Sequence, residues 1–362
     1  MPETTGTTDA VSPKWLSDTL RRCGVLPRGR VVGLQQREGS AFNSRVVHLR
    51  VQYSADAPNG SPSALLLKRM DRGWGEREVV FYQRVRAETA GALSMLVPCY
   101  HADVDERTGS SLLLLDDVSS THREAVSRRA LLTHRGVPAP RDIDQIMISL
   151  ARFHAHWWEH PALGQAEPML VRTWYRDQPA FKVLVARRER EWTAFANDVG
   201  AGFPDELRRL YEEALDRLPA LWRHLSRRVD SMSAMTLSHG DCYLTQWLCP
   251  RADAGQVYLI DFDSVSANLG AFDLVYLMAT FWTREQRRVH EERCLQQYHQ
   301  ALRSAGVAGY GWDELIADVR LMTALIVWDP VFDQTNGSPR DYWWPKMTCL
   351  ADAYRGWRCE EL

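Results

Sequence analysis

The chain has 362 residues, with 44 Lys and Arg against 46 Asp and Glu and a formal net charge of −2. A length of this order exceeds one small core and predicts two lobes, and a near-neutral charge leaves no electrostatic footprint for nucleic acid. Seven cysteines without CxxC spacing argue against a zinc site or disulfide framework, their odd number without a signal-peptide pattern points to the cytoplasm, and no apolar run is long enough for a membrane span.

Residues 1–12, MPETTGTTDAVS, are small and polar and read as a disordered terminus. Residues 13–23 have amphipathic helical spacing. Residues 31–34 and 46–51 read as strands joined through a small, polar turn at 38–44, which contains Gly39, Ser40, Phe42, Asn43 and Ser44. Residues 64–67 form a third strand that presents Lys68. Glu78 then opens a helical pattern with Val79, Phe81, Tyr82 and Val85 as its apolar positions. Lysine is rare here: only Lys14, Lys68, Lys182 and Lys346 occur, and arginine fills the other basic positions. A Lys among so many Arg marks a place for a compact point charge on a flexible stem, which suits a phosphate in a narrow cleft at Lys68. Two further strands, from Val97 and over 111–115, end on Asp116-Asp117-Val118, and the boundary between lobes of residues 13–115 and 116–362 is placed there.

Residues 142–158 are helical by the spacing of Ile143, Ile146, Leu150, Phe153 and Trp157. His154 and His156, two apart, face different ways on such a helix, so His154 reads as a hydrogen-bonded core histidine rather than a metal ligand. Residues 160–235 carry two or three Arg- and Glu-rich helices. Residues 274–282, 285–304, 312–328 and 342–358 are helical by the same spacing. Asp329, Asp333, Trp343 and Trp344 concentrate acids and aromatic faces near the end of the chain, a combination suited to a sugar, a nucleoside or a cation.

The chemistry concentrates at 237–277. His239-Gly240-Asp241 is followed by an apolar strand over 257–260 that delivers Asp261 and Asp263, and then by Gly270 and Asp273-Leu274. Two short buried strands that each end in an acid suit phosphoryl transfer: one carboxylate orients a hydroxyl while the other, twenty residues on, holds Mg²⁺ over phosphates.

These residues resemble the aminoglycoside-phosphotransferase-like kinases, which include choline-kinase-like and ecdysteroid-kinase-like enzymes. The resemblance implies a bilobal, protein-kinase-like α+β fold with a small antiparallel-sheet N-lobe and a large helical C-lobe. It implies Asp241 at the acceptor hydroxyl, Asp261 as the main metal ligand with Asp263 beside it, and Asp273 as a structural acid holding the loop. The family's metal-binding Asn, five residues after the catalytic Asp, is Gln246 here, the same amide on a stem one methylene longer. Further upstream it implies a nucleotide loop at Gly39, Ser40, Phe42, Asn43 and Ser44 and a Lys68–Glu78 pair that steadies the α- and β-phosphates. Leu115, Asp116 and Val118 would be the connection whose backbone meets the purine, and Asp329, Asp333, Trp343 and Trp344 the wall of the acceptor pocket.

The expected reaction is transfer of a γ-phosphoryl group from ATP or GTP, with Mg²⁺, to a hydroxyl of a small molecule, by a monomer or homodimer. A protein kinase would show HRD and DFG; this chain has HGD and DFD, with nine residues between Asp263 and Asp273 and little room for a peptide-binding loop. An antibiotic or related natural product is the first acceptor class, a metabolic alcohol or sugar the second. A nucleotide-binding pseudokinase is the rival, supported by Gln246 alone.

Overall fold

In the computed structural model, residues 11–40, 44–71, 73, 75–88, 94–164 and 175–362 are described. Of the expected disordered terminus at 1–12, residues 1–10 lie outside them, as do Phe42 and Asn43 of the expected nucleotide loop, whereas Val11 is buried and Ser12 caps the first helix. The contacts divide the chain into two compact units, Met1–Ala92 with Leu96–His122, and Leu93–Met95 with Arg123–Leu362.

The first unit begins with α1 (Pro13–Arg22), where the Ser12 hydroxyl accepts the Trp15 amide and Pro13 sits at a position that needs no N–H donor. Five strands and one helix follow: β1 (Val31–Ser40), β2 (Arg45–Tyr53), β3 (Ala64–Met70), α2 (Glu76–Glu88), β4 (Cys99–Val104) and β5 (Ser111–Asp116). The strands form one antiparallel sheet in the order β1-β2-β3-β5-β4. Leu49, Val51, Leu65, Leu67 and Leu114 alternate onto one face and are buried with Leu16 and Leu20 of α1. Alternation puts Lys68 on the other face of β3, where α2 supplies Glu78. The first strand is longer than the sequence indicates. β1 continues to Ser40, with Gly39 opposite Val46 and Ser40 opposite Arg45, so both belong to the ladder.

The second unit is mainly helical. Pro140–His156 packs on Arg284–Ser304, and Ala271–Met278 on Trp312–Ile326. Among the described residues of the Arg- and Glu-rich region there are three helices, at Gln178–Val199, Asp205–Arg217 and Trp222–Ser231. A short helix, Asp329–Thr335, which the sequence did not set apart, packs against both Arg340–Gly356 and Gln178–Val199. Among these helices lie two small sheets. Met235–Ser238 pairs antiparallel with Ser266–Leu269, and Trp247–Pro250 pairs with Tyr258–Leu259. Among the described residues no helix is long and apolar enough to cross a membrane.

Candidate active site

In the first unit, the Lys68 Nζ lies 2.7 Å from Glu78 Oε2, with the glutamate side chain 1% exposed. A buried carboxylate with its own ammonium fixes that lysine in place, and either partner alone would be an uncompensated charge. Gly39 is in β1, and Ser44 immediately precedes β2. Leu115 is held in the sheet opposite Leu66 and Cys99. The Asp116 amide is already taken by the Pro98 carbonyl at 2.9 Å, and that of Asp117 by Ala64 at 3.1 Å. Val118 opens a 3-10 turn capped by Asp117, whose carboxylate accepts the Ser119 amide and meets the His48 ring at 2.9 Å.

In the second unit, the loop after Met235–Ser238 is held by its own backbone. Asp273, fully buried at the start of its helix, accepts the His239 amide at 2.7 Å and the Gly240 amide at 2.9 Å. It also meets His154 Nε2 at 3.0 Å, while His154 Nδ1 meets the Tyr298 hydroxyl at 2.7 Å. The core histidine expected at 154 is therefore the strut that holds the acid. Gly240 has φ +84°, and a Cβ there would stand 2.2 Å from the Ser264 carbonyl oxygen, so only glycine fits. His239 is buried, its Nδ1 facing the Asp241 amide at 3.3 Å and its Nε2 the Ile260 carbonyl at 3.0 Å. With Nδ1 accepting, Nε2 carries the proton and donates, so the partners assign a neutral ring. Burial lowers its pKa in the same sense. The ring ties the loop that carries Asp241 to the segment that precedes Asp261.

The apolar run before Asp261 forms a strand only at Tyr258–Leu259, where the sequence indicates 257–260. Asp261 itself is left-handed, with φ 71° and ψ 59°, and Phe262–Ser264 is a 3-10 turn. Few residues other than glycine take that conformation, and it ends the strand. Strand alternation therefore does not carry from Asp261 to Asp263.

Gln246, at the end of a 3-10 turn, brings the two acids together. Its Nε2 donates to Asp241 Oδ2 at 3.3 Å and to Asp261 Oδ2 at 3.2 Å. Burial, and then the charge of Asp261, push the Asp241 carboxyl up to about 7. Two carboxylates that raise each other's cost of ionising form a place for a cation. Among the described residues no group of three or more His, Cys, Asp or Glu is arranged to hold a metal. The carboxylate of Asp261 fits the hard-cation pattern in which one or two protein ligands are completed by phosphate and water, whereas Gln246 presents Nε2 rather than its oxygen to the two acids.

Beside Asp241 stands a second cluster. Lys346, 2% exposed, lies 2.9 Å from Asp333 and 3.8 Å from Asp329. The rings of Tyr243, Tyr342 and Tyr276 have centroids 5.3, 5.4 and 5.9 Å from its nitrogen. The Tyr276 hydroxyl donates to Asp329. The Asp241 carboxyl responds to the charges of Lys346 and Asp329 in this cluster. The Trp343 ring packs against Phe195 and that of Trp344 against Phe203. Sequence reasoning did not join Lys346 to Tyr243, Tyr276 and Tyr342. The scarcity of lysine, which singled out Lys68, singles out Lys346 equally.

Residues 74–306, well over half of the chain, match the ecdysteroid kinase-like family. No curated protein matches the sequence. Among solved structures, a Ralstonia eutropha protein assigned as an aminoglycoside phosphotransferase is 13% identical, covering 97% of this chain and 98% of its own, with a TM-score of 0.57. A Plasmodium vivax ethanolamine kinase is 13% identical, covering 91% and 85%, with a TM-score of 0.51. At these identities the likeness is one of fold, the protein-kinase-like α+β fold with a strand-built first unit and a helical second one. The family match spans Glu78, Asp241, Gln246, Asp261 and Asp273, the residues whose geometry is set out above. The chain belongs to the ecdysteroid kinase-like family and is a phosphotransferase with an alcohol group as acceptor.

Proposed function

We propose that the chain moves the γ-phosphoryl group of ATP or GTP to a hydroxyl of a small molecule, with Asp241 at the acceptor. The observation that carries this reading is the Asp241–Gln246–Asp261 cluster on a loop held by Asp273. The acceptor oxygen forms its bond to the γ-phosphorus as the bond from that phosphorus to the β-bridging oxygen breaks, and the nucleoside diphosphate leaves. Asp241 orients the hydroxyl and takes its proton, work that suits a carboxyl placed near neutrality. Lys68, held by Glu78, steadies the α- and β-phosphates. Asp261 and Gln246 hold magnesium, which when bound neutralises charge on the phosphate oxygens. For that, the Gln246 amide turns over, so that Oε1 rather than Nε2 faces the site.

The acceptor class proposed first is an antibiotic or related natural product, with phosphorylation serving resistance or self-protection. The family resemblance supports it. The test is transfer of labelled phosphate from ATP and from GTP onto a panel of aminoglycosides, nucleoside antibiotics, macrolides and neutral polyols, with and without magnesium. Magnesium-dependent, acceptor-stimulated transfer is expected. Nucleotide binding with no transfer to any alcohol would instead establish a pseudokinase.

A further inference from the structure

Two of the four lysines, Lys14 and Lys182, are exposed; the other two are each closed against carboxylates, Lys68 against Glu78 and Lys346 against Asp329 and Asp333. A chain that so prefers arginine keeps lysine where the positive charge must sit on one small nitrogen. At Lys346 the surroundings explain the choice. Three tyrosine faces and two carboxylates around one nitrogen form a receptor for an alkylammonium ion. Its parts come from four separate stretches of chain, at Tyr243, at Tyr276, on Asp329–Thr335 and on Arg340–Gly356. The last two lie beyond the residues that match the family.

The receptor adjoins Asp241: Tyr243 is two residues away, and the charges of Lys346 and Asp329 both reach that carboxyl. Arginines from Gln178–Val199 act on the same acids, Arg187 on Asp329 and Arg188 on Asp333. The negative charge of this wall is thus already answered from within the chain.

We infer that Lys346 is a specificity residue, whose ammonium fills the cation cage beside Asp241 so that the acceptor alcohol taken by this chain carries no positive charge near its reacting hydroxyl. The acceptor class is a neutral or anionic alcohol. An ammonium alcohol arriving there meets a like charge instead of an open cage, and both carboxylates are engaged. The inference rests on the proposed place of Asp241 at the acceptor.

The test uses binding rather than turnover. Calorimetry on nucleotide-free protein compares choline with its carbon isostere, in which a tert-butyl group replaces the trimethylammonium. Wild type should bind choline no better than the isostere. Lys346→Ala, which vacates the cage, should gain choline affinity by about tenfold or more. Lys346→Met, which removes the like charge while its stem still occupies the cage, should gain less than Lys346→Ala. If Lys346→Ala is unfolded alone, choline chloride should restore its melting transition where sodium chloride at equal ionic strength does not. A wild type that prefers choline over the isostere would overturn the inference, as would an alanine variant that gains neither affinity nor stability from choline. Failure of the phosphotransfer reading would show separately, as absent magnesium-dependent turnover in the wild type.

Discussion

Asp241 and Gln246 are where single atoms decide the outcome. Asp241→Asn keeps the shape of the loop and removes the proton acceptor, so kcat should fall by about two to four orders of magnitude while nucleotide affinity stays near wild type. Steady-state kinetics beside nucleotide titration checks this, and near wild-type turnover in the folded variant would remove Asp241 from the mechanism. Gln246→Asn restores the family's residue and should stay within about tenfold of wild type, roughly 1.4 kcal/mol. Gln246→Ala removes the amide that bridges the two acids and should lose much more, with a higher magnesium requirement. An alanine variant with unchanged rate and unchanged magnesium dependence would show that no ligand stands at 246. These positions were legible because a motif fixes them by spacing along one short stretch. Lys346 was not, because its cage is assembled from residues a hundred positions apart and only tertiary packing joins them.

The loop of His239-Gly240-Asp241 hangs on one acid. Asp273 accepts two backbone amides and faces the His154 ring, so Asp273→Asn must turn an N–H toward one of those donors. A buried donor left without its acceptor costs about 1–3 kcal/mol, and the melting temperature and kcat should fall together. Loss of kcat with an unchanged melting temperature would place Asp273 in the chemistry instead. The Lys68–Glu78 pair joins a strand to a helix, and a double-mutant cycle on nucleotide affinity should be strongly non-additive; simple additivity would mean that the contact carries no coupling. Helices were the most legible elements, since spacing of apolar residues marks both their existence and their face. Strand ends were the least legible. The run before Asp261 is apolar through Ile260, yet it leaves the sheet after Leu259 because the next acid is left-handed. At β1 the polar residues expected to turn instead continue the ladder to Ser40, since an edge strand facing solvent tolerates them.

Over the whole chain, the order of strands first and helices after was readable from a period of two giving way to one of 3.6. Which charges would be buried was not readable, because periodicity marks the inward face of a helix without naming the partners waiting there. Asp318 is such a charge. It lies on the inner side of Trp312–Ile326, 4% exposed, accepting the Tyr310 hydroxyl at 2.9 Å, with Arg228 3.4 Å away. Burial pushes its carboxyl up to about 6 from an ordinary 3.8, against the pull of Arg228. Between those two values the folded chain holds a proton that the unfolded chain has released, so stability falls as pH rises through the window. Below it both states are protonated and nothing is lost; above it both are ionised and the whole penalty is present. A shift of roughly two units corresponds to about 3 kcal/mol. Asp241, raised to about 7, acts in the same direction, and comparison of wild type with Asp318→Asn at each pH cancels it. The amide has no charge to bury, and whatever its altered contact with Arg228 costs does not vary with pH. At pH 4, just above the unfolded value, a small part of the penalty is already present, so urea unfolding at pH 4 and at pH 7 should show the variant gaining about 2.4 kcal/mol on wild type between the two. A difference that does not change with pH would mean that the pull of Arg228 offsets burial in full and leaves the folded carboxyl at its ordinary value, and a variant that loses ground as pH rises would mean that Arg228 outweighs burial.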